Sequence, residues 1–176
     1  MTRRQVLPWI LQGSDLGEHI LELGAGPGAA TLELARRAPR VTSLEYDHAL
    51  AVRLSARANP SASHSNVRIV QADAAALPFV DGTFSSVIAI LMLHHLKTIE
   101  WQDRAFSEIH RVLRPGGVFL AFDIPDGWIH RVGHIKSTFV PLNPATASKR
   151  LTAAGLSNVT IDSKSGGFLI RALRAQ

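Results

Sequence analysis

The stretch Ile20-Leu21-Glu22-Leu23-Gly24-Ala25-Gly26-Pro27-Gly28 restricts this chain more than any other, because an apolar run there ends in a turn with three glycines in five residues. Thr31 to Arg37 then reads as a helix, with Leu32 and Leu34 among good helix formers. A strand that turns through glycines into a helix is the opening unit of a parallel sheet, since the helix carries the chain back to start the next strand in the same direction. The glycines permit sharp backbone angles and let a ligand reach the main chain without meeting a Cβ. Gly24, Gly26 and Ala29 also spell the looser G-x-G-x-x-A fingerprint, so nicotinamide or flavin binding stands beside other nucleotide readings at this point.

The same alternation continues along the chain. Val41–Tyr46 reads as a second strand, Asp47 as the N-cap of a helix through Ala58, and Val67–Gln71 as a third strand. Ser86–Leu93 is apolar almost throughout, as expected of a fourth strand covered on both faces. The helix Ile99–Leu113 carries Ala105, Ile109 and Val112 on one stripe, stops at Arg114 before Pro115-Gly116-Gly117, and leads into a fifth strand, Val118–Ile124. Beyond it the period is lost over 125–144, returns as a helix from Ala145 to Ala154 closed by Gly155, and ends in the strands Val159–Ser163 and Phe168–Leu173. Gly166 and Gly167 join those two too tightly for a parallel crossover, so they form an antiparallel hairpin. The expected fold class is α/β: a doubly wound, Rossmann-like, mostly parallel seven-stranded sheet with an antiparallel C-terminal hairpin. A single domain over 1–176 is expected, with an N-terminal helix within 1–16.

Composition narrows the function classes. There is no cysteine, which removes disulfides, thiolate metal sites and cysteine nucleophiles, and no zinc-ligand spacing, so no metal is expected. No apolar run approaches the roughly 18 residues of a membrane span. Arg3 and Arg4 precede an apolar stretch, but Pro8 interrupts it and no small-residue cleavage site follows, so a cytoplasmic location is expected. The formal charge is +5, yet the arginines are scattered with no block of five like charges, as on ordinary solvated helix faces.

Two acids at strand ends give the glycine turn a ligand. Glu45 closes the second strand, where a carboxylate can accept hydrogen bonds from both hydroxyls of a ribose. Tyr46 beside it can pack on an adenine face or cover the strand end. Asp73 closes the third strand, placed to accept from an adenine amino group while the Ala74 amide donates to the ring. A dinucleotide site has no general need of that second acid, and the balance moves to S-adenosylmethionine.

In these residues the chain resembles the class I S-adenosylmethionine-dependent methyltransferases, from about Gly17 to Leu173. The glycine turn, with Ala25 and Gly28 inside it, is similar to their first motif, and Glu45 and Asp73 to their ribose and adenine acids. Ala76-Leu77-Pro78-Phe79 followed by Asp81-Gly82-Thr83-Phe84, then Leu93-His94-His95-Leu96, and Arg111-Val112-Leu113-Arg114-Pro115-Gly116-Gly117 are similar to the segments around their fourth and fifth strands. The resemblance implies Glu22 near the methionine amino group, Gly24 and Gly26 along the amino-acid and ribose portion, and Leu91 at the end of strand four beside the cofactor. Ser85 departs from the aspartate many relatives carry there, which is expected to affect a local turn more than binding.

Methyl transfer from a sulfonium is a direct displacement, so positioning supplies much of the rate and no covalent nucleophile is needed. A base serves only if the acceptor must lose a proton. His94 and His95 stand at the end of strand four and are the catalytic candidates, with S-adenosylhomocysteine as the product left behind. Trp128, His130 and His134 fall in 125–144, the segment expected to form the acceptor pocket. No Asn-Pro-Pro-Tyr segment follows strand four, which favours a small-molecule acceptor. RNA remains the second reading on the basic charge, and an anionic membrane surface the third. A dinucleotide-binding protein or a noncatalytic regulatory domain are the readings from other classes, and no oligomeric state is implied.

Overall fold

Five parallel strands occupy most of one sheet: β1 (His19–Leu23), β2 (Arg40–Glu45), β3 (Val67–Gln71), β4 (Phe84–Ile90) and β5 (Leu113–Asp123). Two more, β6 (Leu156–Lys164) and β7 (Gly167–Arg174), complete the order β3-β2-β1-β4-β5-β7-β6, with β7 antiparallel to both β5 and β6. This is the α/β class the sequence predicts, and β3 keeps its expected limits. The computed structural model describes residues 3–58, 65–126, 139–164 and 166–176; Trp128, His130 and His134 lie outside them. From β1 the chain steps outward to β2 and β3, then returns to lay β4 on the other side of β1. Such a reversal opens a crevice beyond the C-terminal ends of β1 and β4, the place where open α/β sheets bind ligands.

Helices cover both faces. Val6, Leu7 and Ile10 of α1 (Arg3–Leu11) and Leu34 of α2 (Thr31–Leu34) pack with Ile20, Val41, Ile88 and Leu120 of the sheet. On the opposite face, Ala105, Phe106 and Ile109 of α4 (Ile99–Val112) and Leu151 of α5 (Pro144–Ala153) meet Leu21, Val87 and Phe119. The helix α3 spans His48–Ala58, and the Asp47 carboxylate accepts from the Leu50 amide at 2.9 Å, the expected N-cap. Each fully buried Leu, Ile or Phe contributes roughly 1.5–3 kcal/mol, so these two layers fix which strand faces point inward. No helix among the described residues is long and apolar enough to cross a membrane.

Several boundaries differ from the sequence reading: the helix after the glycine turn stops at Leu34 rather than Arg37, β6 begins at Leu156 rather than Val159, and two larger differences fall in β4 and β5. The fourth strand ends at Ile90 rather than Leu93, because Leu91 takes a left-handed conformation (φ 51°) that bends the chain away, and Leu93–His95 follow as a single 3-10 turn. The fifth strand begins at Leu113 rather than Val118: Leu113 pairs with Phe84, the chain bulges through Pro115-Gly116-Gly117, and pairing resumes between Val118 and Ser86.

Side chains secure the connections. Arg111 makes five hydrogen bonds, two to the Glu108 carboxylate (2.8 Å each), two to the carbonyls of Leu77 and Phe79, and one to Asp81. Glu108 also accepts from the Leu77 amide at 2.7 Å, so helix α4 grips the whole segment that links β3 to β4. The Arg111 bonds hold the Glu108 carboxyl below its ordinary range and raise the guanidinium still further above its own. At the opposite end, the Ser85 hydroxyl accepts from the His19 amide (2.9 Å) and lies within donating distance of the Leu16 carbonyl (2.7 Å), pinning the turn that enters β1. Ser85 thus acts on a local turn, remote from the C-terminal crevice.

Candidate active site

The crevice beyond β1, β2 and β4 is a cleft of about 470 Å³, within the range of small-ligand pockets. Gly24 and Gly26 form its floor, Glu45, Tyr46, Asp73 and Ala74 one side, and Met92, His95, Lys97 and Trp101 the other. A Cβ at Gly24 would stand 2.8 Å from the Met92 Cβ, and the backbone φ there is +64°, so only glycine lets the turn pass beneath the loop that follows β4.

Glu45 is 7% exposed and locked at both oxygens. Oε2 accepts from the Gly26 amide at 2.7 Å and Oε1 from the Asp47 amide at 3.0 Å, so one carboxylate ties the glycine turn to the tip of β2. Each carboxylate oxygen accepts more than one bond, and capacity is left for a vicinal diol. Asp73 is held by an Asx-type bond, Oδ1 accepting from the Ala75 amide at 2.8 Å. The two acids therefore arrive in the cleft in fixed rotamers, before any ligand does.

Five expected site residues do not line the cleft, each for a definite reason. Glu22 is buried under the turn, where Oε2 accepts from the hydroxyls of Thr31 (2.6 Å) and Ser43 (2.7 Å), joining β1, β2 and α2. Ala25 is buried, and its amide donates to the Leu44 carbonyl at 3.0 Å. Gly28 serves packing: a Cβ there would lie 2.4 Å from Leu54 Cδ1 of α3. Leu91, turned by its positive φ, packs against the cluster on the α1 face while its amide donates to the Phe122 carbonyl at 2.8 Å. His94 is 2% exposed and is bonded through Nδ1 to Asp123, a fully buried carboxylate at the tip of β5 that also accepts from the His94 amide (3.2 Å) and the Ile124 amide (2.8 Å).

Of the two neighbouring histidines, then, His95 is the one on the cleft wall, and its ring lies 4.2 Å from that of His94, centroid to centroid. The turn that carries them is held from several directions: the Val140 amide donates to the His94 carbonyl at 2.8 Å, and the buried Gln102 amide donates to the carbonyls of Leu93 (3.2 Å) and Val140 (2.8 Å). Asp123, Met92, Lys97 and Trp101 were not among the residues anticipated from sequence. A charged residue ending the apolar run of β5 was the available signal for Asp123. For Lys97 and Trp101 it was a spacing of four residues that spans the N-cap of α4. No group of three or more metal-ligating side chains occurs among the described residues.

A mostly parallel seven-stranded sheet with a reversed β7, and acids at the tips of β2 and β3 facing a glycine turn, define the class I S-adenosylmethionine-dependent methyltransferase architecture. Residues 21–121 match the family described as methyltransferase domain, and the chain belongs to that family. It is 34% identical over 124 residues to a demethylmenaquinone methyltransferase of Thermus thermophilus, covering 68% of this chain and 55% of the relative. It is 37% identical over 111 residues to a malonyl-[acyl-carrier protein] O-methyltransferase of Geobacter sulfurreducens, covering 61% and 39% respectively. The chain spans about half the length of the curated relatives it matches. In fold it is similar to phosphoethanolamine N-methyltransferase 2 of Haemonchus contortus, solved with S-adenosyl-L-methionine, at a TM-score of 0.81 and 13% identity over 99% of this chain and 52% of that one.

Proposed function

We propose that this chain binds S-adenosylmethionine in the 470 Å³ cleft and directs its methyl group to a small-molecule acceptor. The observation that carries the reading is Glu45, which lines the cleft while holding the glycine turn through the Gly26 amide. In this reading Glu45 accepts from the ribose hydroxyls and Asp73 from the adenine amino group, beside the Ala74 amide. Gly24 and Met92 border the amino-acid end. When bound, the sulfonium supplies an electrophilic methyl that an in-line nucleophile takes as the carbon–sulfur bond breaks.

The residues of this chain then have three tasks. The glycine turn and the two acids fix the donor, and fixed geometry of this kind is worth several kcal/mol of barrier. Met92 and Leu96 present apolar surface that keeps water from competing. His95 is placed to take a proton from the acceptor where one must leave, while Asp123 and His94 hold its turn in place. Glu22, buried and bonded to the hydroxyls of Thr31 and Ser43, has a supporting role beneath the turn. A small-molecule acceptor is supported by relatives named for demethylmenaquinone, a sterol and malonyl-acyl carrier protein.

A thermal-shift comparison tests the donor: S-adenosylhomocysteine should raise the melting temperature and NAD should not. The reverse result would reassign the cleft to a dinucleotide. For the acceptor, labelled methyl groups offered to extracted metabolites, lipids and RNA should enter the metabolite or lipid fraction, and label confined to RNA would overturn the small-molecule reading.

A further inference from the structure

The rim of the cleft carries a feature that the donor and acceptor roles leave unused. Lys97, between the two-histidine turn and α4, holds its ammonium 5.5 Å from the ring centroid of Tyr46 and 5.1 Å from that of Trp101. Both distances are within the reach of a cation–π contact. The three side chains all line the cleft, but they come from opposite walls: Tyr46 follows Glu45 at the tip of β2, and Trp101 stands in the first turn of α4. Tyr46 is 60% exposed, which is unusual company for an aromatic ring beside a mostly buried acid. The Trp101 end is rigid, since its amide donates to the Thr98 hydroxyl that caps α4 and the next residue, Gln102, is buried.

We propose that Lys97 is a positioning residue for the cofactor, clasping Tyr46 to Trp101 across the mouth of the cleft so that a bound adenosine is retained. The proposal rests on the adenosine reading of the cleft. Cation–π contacts strengthen when water is driven off the rings, and a ligand lying beneath them does that. The clasp is therefore tighter over a filled cleft than over an open one, and by linkage the ligand is held more tightly by the same factor. The contact is already in place and tightens over a ligand, so its loss is felt in escape more than in association. The exposed lysine bears no part of the core, so removing it leaves the fold intact.

Dissociation of tritiated S-adenosylhomocysteine, chased with excess unlabelled compound, tests this on the full chain. Lys97→Met keeps the apolar stem and loses the charge; its dissociation rate should rise about fivefold to thirtyfold, the equivalent of ~1–2 kcal/mol, with association within about twofold of the parent and an unchanged melting temperature. Lys97→Arg should stay near the parent rate or below it, since a guanidinium also makes the cation–π contact with aromatic faces. An unaltered dissociation rate in Lys97→Met overturns the clasp. So does tighter binding by that variant, which would mean that Lys97 competes for the place of the adenine. If the parent chain does not take up S-adenosylhomocysteine at all, the adenosine reading fails first and the clasp falls with it.

Discussion

Two cavities of nearly equal size open at opposite edges of the sheet, about 470 Å³ at the C-terminal edge and about 460 Å³ at the N-terminal edge. Their walls differ in what the polar groups are doing. At the N-terminal edge Ser85 is occupied by His19 and Leu16, Asp15 accepts from the Gly17 amide at 2.9 Å, and Arg171 is committed to Ser14 and to the carbonyls of Trp9 and Gln12, which tie α1 to β7. At the C-terminal edge three carboxylates, those of Glu45, Asp47 and Asp73, line the opening, each fixed by backbone amides that leave acceptor capacity over. Volume alone does not make a site. Strand direction does much of the work, because the ends of parallel strands deliver the turns, and with them the acids and glycines, to one edge.

The comparison is broken most directly by removing the acids. Glu45→Ala and Asp73→Ala should each weaken S-adenosylmethionine binding by about tenfold or more, and the double variant by about a hundredfold, as expected for separate charge-assisted bonds. Calorimetry on all three checks it, and unchanged affinity in the single variants would undo the assigned cleft. Ser85→Ala should do the opposite kind of damage, costing about 1–2 kcal/mol of stability in a urea titration through the unsatisfied His19 amide, while cofactor affinity stays within about twofold. An affinity loss there would mean that the two edges are coupled. The smallest expected effect concerns pH. Glu108 is depressed by its bonds from Arg111, so its contribution is complete above the ordinary glutamate value of 4.5 and drains away as pH falls through the depressed one. Glu108→Gln should accordingly flatten the acid limb of the stability curve and leave binding at neutral pH untouched.

The two edges also differ in how well they could be read beforehand. The strands β1 and β3, the glycine turn and both acids follow from local pattern, since each is set by residues adjacent in the chain. The assignment of roles within the turn was less legible: Gly24 and Gly26 border the cleft, whereas Gly28 answers to Leu54 of α3, a contact no local period encodes. The adjacent histidines illustrate the same limit. Which of His94 and His95 faces the cleft is decided by the left-handed Leu91 and by Asp123, which lies 29 residues beyond His94. The Lys97 clasp joins β2 to α4, and its partners are far apart in sequence for the same reason.

The bond between Glu45 and the Gly26 amide has a consequence for anyone wishing to redesign this pocket. A residue exchanged at position 45 to alter what the cleft accepts would also release the glycine turn that forms its floor, so altered preference and a loosened floor would come together. Reshaping would have to begin elsewhere, with a second acceptor introduced for the Gly26 N–H before the acid is touched.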